Sequence, residues 1–143
     1  YAIDAGKGQL DWRLRNDSRV VVREGINARY LTGEDIGEIA GFAACDVSFI
    51  SVTLILPPVA ALLAENGEMV ILVKPQFEVG RGRVGKGGVV RDPALRAEAV
   101  RAVREAAESL GYTVAGEAES RLAGPRGNRE VFLWLRPVSL ATR

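Results

Sequence analysis

Short apolar runs separated by glycine, proline and charge dominate the pattern along the chain, and long amphipathic stretches are rare. Residues 1–4 (Tyr-Ala-Ile-Asp) read as the tail of a buried strand that Ala5, Gly6 and Gly8 terminate. Leu10 and Leu14, four apart, predict a short helix within 9–15. The β-branched run from Val20 to Arg23 predicts a strand, and 31–41 leaves room for one helical turn. A second buried run, 42–50, ends in Asp46-Val47-Ser48-Phe49. Residues 52–64 predict a helix, or a turn followed by a helix, that Pro57 and Pro58 kink or start, with Asn66-Gly67 as its stop. Met69 to Val73 is a continuous apolar run, the mark of a strand covered on both faces. Asp92-Pro93 is a strong helix start. Leu95, Val100, Val103, Ala107 and Leu110 give that helix its apolar face, and Gly111 closes it. Runs at 112–115 and 131–135 predict two final strands forming a hairpin, the last antiparallel to the rest. Strands alternating with helices define an α/β sheet.

Composition narrows the chemistry. The chain has 143 residues, 48% hydrophobic and 26% charged, which suits one globular domain. The net charge is +1, so any nucleic-acid footprint must be local. There is no histidine, which excludes Ser-His-Asp and Cys-His nucleophilic sites and histidine metal sites. The single Cys45 excludes an internal disulfide and reads as a small core residue. No metal site is expected. Cysteine usage and the absence of a membrane-spanning apolar run fit a cytoplasmic protein without membrane partners. The first residue, Tyr1, already lies inside a predicted strand, so the sequence is expected to begin within a domain.

Ligands of open α/β sheets bind beyond the carboxyl ends of the parallel strands. Asp4, Asp46 and Lys74 occupy such ends. An antiparallel last strand brings its first residues to the same rim, which adds Glu130. Any one of these could be a solvated charge. Together, an Asp, a Lys and a Glu arriving from three strands make a candidate site. The loop Gly80-Arg81-Gly82-Arg83-Val84-Gly85-Lys86 spells both G-x-G-x-x-G and G-x-x-x-x-G-K. It lacks the Ser/Thr and the immediate helix that either motif requires. Arg81, Arg83, Lys86 and Arg91, with no acid between them, suit contact with a phosphate backbone or a solvated loop equally well.

The order and spacing of six segments carry a family resemblance. They are Gly8-Gln9-Leu10-Asp11-Trp12-Arg13-Leu14-Arg15 with Asn27-Ala28-Arg29; Asp46-Val47-Ser48-Phe49-Ile50-Ser51; Val73-Lys74-Pro75-Gln76-Phe77-Glu78; Val84-Gly85-Lys86-Gly87-Gly88-Val89-Val90-Arg91-Asp92; and Gly124-Pro125-Arg126-Gly127-Asn128-Arg129-Glu130. In this arrangement the chain resembles, over almost its whole length, the hemolysin-A-like (TlyA) family of FtsJ-type ribosomal RNA 2′-O-methyltransferases. The resemblance implies a Rossmann-like class I methyltransferase sheet of order 3-2-1-4-5-7-6 with the last strand antiparallel, here without its first strand. It implies a Lys-Asp-Lys-Glu tetrad, of which Asp46, Lys74 and Glu130 match three members. It implies S-adenosyl-L-methionine as cofactor, with Asp4 on its ribose, Asn27 near its adenine, and Asp46, Val47 and Ser48 beside it. The partner so implied is ribosomal RNA or a ribosomal subunit. The first tetrad lysine, the glycine-rich cofactor loop and a small RNA-binding domain are expected upstream of Tyr1, making 1–143 a partial methyltransferase domain. Two exposed sheet edges would then invite self-association.

Three other readings remain at this level. One is a non-catalytic RNA-binding or ribosome-assembly module on the same fold. Another, a membrane-active protein, finds no strongly amphipathic basic helix to support it. A nicotinamide-dependent oxidoreductase would need a fingerprint turn after the first strand, and the spacing of Asp46, Lys74 and Glu130 argues against it.

Overall fold

A computed structural model describes residues 1–138. Six strands and four α-helices follow one another: β1 (Ala2–Asp4), α1 (Trp12–Arg15), β2 (Val22–Glu24), α2 (Gly33–Ile36), β3 (Ala40–Cys45), α3 (Leu56–Ala60), β4 (Leu63–Val73), α4 (Pro93–Ser109), β5 (Tyr112–Glu119) and β6 (Val131–Pro137). β1 and β2 form a parallel pair. The other four strands form a second sheet in the order β3-β4-β6-β5. β3 runs parallel to β4, while β6 runs antiparallel to both β4 and β5. The α/β class and the terminal hairpin with an antiparallel last strand are as expected. Within the described residues β1 and β3 each have one unpaired edge.

Local sequence explains the main elements. Asp92 caps α4 by accepting the Ala94 N–H at 2.8 Å, Pro93 occupies the first helical position, and Gly111 takes the left-handed turn at φ 85° that follows. Pro57 and Pro58 start α3. The helix ends at Ala60, earlier than Asn66-Gly67 suggested. Asn66-Gly67 instead lies inside β4, whose pairing with β3 slips between Ala40 and Phe42. A glycine fits there because a Cβ at position 67 would meet Ala64 O and Leu63 Cβ at 2.9 Å.

The core lies on one face of the four-stranded sheet. Met69, Ile71 and Val73 of β4 and Leu133 and Leu135 of β6 are fully buried. They pack with Ala99, Val103 and Ala107 of α4 and with Val52, Ile55 and Leu56. The same period-2 alternation turns Phe132 and Trp134 to the other face, where both are partly exposed. Two expectations of burial fail. β1 is only half-buried, since one of its edges lacks a neighbour, and the 42–50 run exposes Phe42 and Phe49.

Candidate active site

The carboxyl ends of β3 and β4 and the start of β6 meet on one rim. Val73 is in register with Val131, so Lys74 leaves β4 and Glu130 enters β6 at the same end of the ladder. On the opposite edge of β4, Cys45 pairs with Ile71, which brings the segment after β3 alongside Lys74. The Lys74 ammonium lies 2.6 Å from Asp46 Oδ1 and donates to Ser48 Oγ at 3.1 Å. Its side chain is 12% exposed whereas that of Asp46 is 70% exposed. The amine is thus held at the floor of the rim, with its acid partner facing solvent. Two of its three N–H groups are engaged, and one remains for a ligand.

Glu130 reaches this rim but pairs differently. Its carboxylate is 5% exposed and accepts from Gln76 Nε2 at 3.0 Å. It forms no ion pair with Lys74 or any other cation among the described residues. The loop before it is firmly held. Asn128, 2% exposed, accepts the Val90 N–H at 3.0 Å and donates to Gly88 O and Pro125 O at 2.9 and 3.1 Å. Arg126 sits in the left-handed region (φ 58°) and donates to Gly87 O at 2.7 Å.

Four successive contacts make the turn after β4, a single 3₁₀ turn at Pro75–Phe77, the centre of the site. Lys74 meets Asp46, Gln76 meets Glu130, and the Phe77 ring lies 5.2 Å from that of Phe49. Glu78 accepts from Ser51 Oγ at 2.6 Å and from the Val52 N–H at 2.8 Å. Burial pushes the Glu78 carboxyl above its usual value, and these two donors pull it partly back.

Of the remaining expected residues, Asp4 and Asn27 lie on and after the separate β1–β2 pair. Asp4 is exposed, and its Oδ1 accepts the Gly6 N–H at 2.8 Å. Asn27 accepts the Arg29 N–H at 3.0 Å and so caps the turn at Ala28–Tyr30. An apolar cleft of about 310 Å³ between β1 and β3 is lined by Ile3, Ala28, Leu31, Cys45, Asp46 and Val47, among others. Its lining includes Asp46 itself and the chain neighbours of Asp4 and Asn27, namely Ile3 and Ala28. No helix follows the 80–91 loop before Pro93, in keeping with its failure as a nucleotide motif. Of its four basic residues, Arg83 is neutralised by two contacts with Glu98, at 2.5 and 2.7 Å. Arg91 donates to Lys86 O at 3.1 Å, while Arg81 and Lys86 have exposed side chains without an ion pair among the described residues. Sequence reasoning missed Gln76, Glu78 and Asn128, whose roles depend on contacts 26 to 54 positions away. It also placed Phe49 in a buried run, although that residue is 91% exposed with φ 64°.

A mixed α/β fold with charged residues gathered at the carboxyl ends of its parallel strands is the architecture of the Rossmann-like methyltransferases. The sequence profile of the FtsJ-like methyltransferases matches residues 1–137, and the chain belongs to that family. It is 53% identical over 135 residues to the 16S/23S rRNA (cytidine-2′-O)-methyltransferase TlyA of Mycobacterium tuberculosis, covering 94% of this chain and 50% of that one. It is 40% identical over 131 residues to hemolysin A of Brachyspira hyodysenteriae, covering 91% and 55%. A crystal structure of a hemolysin candidate from Lactococcus lactis superposes with a TM-score of 0.90 at 43% identity, covering 95% of this chain and 65% of that one. The chain spans about half the length of the curated relatives it matches.

Proposed function

We propose that this chain is the catalytic portion of an S-adenosyl-L-methionine-dependent methyltransferase that modifies a ribose 2′-hydroxyl of ribosomal RNA. The observation that carries the reading is the 2.6 Å pairing of a nearly buried Lys74 with Asp46 on the rim where Glu130 also arrives. Family membership and the rRNA methyltransferase activity in the relative's name support it.

Asp4, Asn27, Asp46, Val47 and Ser48 would hold the cofactor, which supplies an electrophilic methyl group on a sulfonium. The chain's own residues handle the acceptor oxygen. Lys74 offers its third N–H to that oxygen and stabilises the negative charge that develops on it while the hydroxyl proton leaves to water, or, having first lost a proton to solvent, accepts the hydroxyl proton as a neutral amine. Asp46 and Ser48 fix the ammonium, so that little reorganisation is needed as charge develops. Glu130 supplies a second anion to the rim. Phe49, exposed beside Ser48 and backed by Phe77, offers a flat apolar face on which an unstacked base can rest. Arg81, Lys86 and Arg91 serve the phosphate backbone, and Arg83 contributes little because Glu98 already neutralises it. Residues 1–143 form part of a single methyltransferase domain in a cytoplasmic protein, and the open edges of β1 and β3 favour self-association of the isolated chain.

The decisive experiment replaces Lys74 with Ala in the full-length protein and follows methyl transfer to ribosomal RNA. General acid–base and charge stabilisation of this kind is worth roughly 10²–10⁴-fold. Retained transfer with Lys74→Ala overturns the reading. Retained RNA binding without transfer in the unaltered protein would favour a non-catalytic RNA-binding module.

A further inference from the structure

One amide after Lys74 carries an arrangement that packing alone does not explain. Gln76 Nε2 donates to Glu130 Oε1 at 3.0 Å, while Gln76 Oε1 is buried and meets no donor. Turning the amide over would set its oxygen against the Glu130 carboxylate, acceptor to acceptor, so the carboxylate fixes the orientation. A buried carbonyl left without a donor is costly, and nearly all such groups in folded proteins are paired. The same carboxylate oxygen is confined by the backbone as well. A Cβ added to Gly124 would overlap Glu130 Oε1 and lie 2.7 Å from its Cδ. Gly124 has φ −69°, open to any residue, so its absence of a side chain makes room for the carboxylate and serves no backbone requirement.

We propose that Gln76 is a positioning residue for Glu130. It and the Gly124 backbone hold the carboxylate in one rotamer on the rim beside Lys74, and the unsatisfied Oε1 is the cost of that constraint. The inference rests on the functional reading above and adds a residue to it. Gln76 acts through Glu130 and does not itself touch the reacting oxygen.

The test is a double-mutant cycle in the full-length protein, scored by methyl transfer, calorimetric cofactor binding and thermal unfolding. Gln76→Leu should lower kcat roughly 10- to 100-fold with cofactor affinity unchanged, the scale of a catalytic group displaced by about 1 Å. Combined with Glu130→Gln it should be no slower than Glu130→Gln alone, because the group it positions is already gone. Gly124→Ala, which crowds the same carboxylate oxygen from the backbone and leaves the Gln76 side chain intact, should reproduce both results. It stands in if Gln76→Leu fails to fold. Losses that multiply in the double variants would reduce Gln76 to a packing role and overturn the inference. Unchanged kcat in both Gln76→Leu and Gly124→Ala, with Glu130→Gln inactive, would overturn it while leaving the functional reading intact. Full activity of Glu130→Gln would remove Glu130 from the reading itself.

Discussion

Glu78 accepts the backbone N–H of Val52 at 2.8 Å, joining the turn after β4 to the segment after β3. Because burial raises its carboxyl above the usual 4.5, the folded chain binds this proton more tightly than the unfolded chain. The stability so contributed is complete below the unfolded value and declines as pH rises through the folded one. Glu78→Gln removes this dependence. Urea midpoints from pH 4 to 7 should therefore shift steadily in favour of the variant relative to the parent. Parallel curves would show that Glu78 does not titrate across that range.

Cys45 ends β3 on the core side, and burial alone pushes its thiol up to about 11. The thiolate is the reactive form, so native protein at pH 8 should resist alkylation. Labelling should follow the unfolding rate. Rapid stoichiometric modification of folded protein would contradict the packing around β3.

Asn128 satisfies one N–H and two carbonyls from a position only 2% exposed. Asn128→Ala strands the buried Val90 N–H, which costs about 1–3 kcal/mol, while the carbonyls of the exposed Gly88 and Pro125 turn to water. Equilibrium denaturation should show a loss in or above that range. A change well below about 1 kcal/mol would mean that water enters to replace the amide at little cost.

Phe49 combines 91% exposure with a left-handed backbone. Both features oppose a large aromatic there, and glycine would relieve the backbone by about 1 kcal/mol. Phe49→Gly should keep or raise the melting temperature while weakening RNA-dependent turnover. Lower stability together with unchanged turnover would make the Phe49–Phe77 contact structural.

Much of this architecture is legible in the sequence because its signals are local. Asp92-Pro93 and Gly111 bracket α4, and the run from Met69 to Val73 marks a strand, although only its Met69-Ile71-Val73 face joins the core. Asp46, Lys74 and Glu130 could be brought to one rim by topology alone, once the last strand was read as antiparallel. Pairings of side chains could not. Nothing near Lys74 shows that it meets Asp46 and Ser48 while Glu130 turns to Gln76. Arg83 read as a free cation because Glu98 lies on the next helix. Asn66-Gly67 read as a helix stop because a glycine at a strand irregularity looks the same as one at a helix end.

The reversed direction of β6 has a further consequence for how the site is made. Lys74 and Glu130 become neighbours only when β6 enters the sheet beside β4, joining parts of the chain separated by α4 and β5. Such non-local pairing forms late and slowly compared with helical segments. During refolding, helix dichroism should therefore recover before catalytic competence, which waits for the long-range β4–β6 pairing.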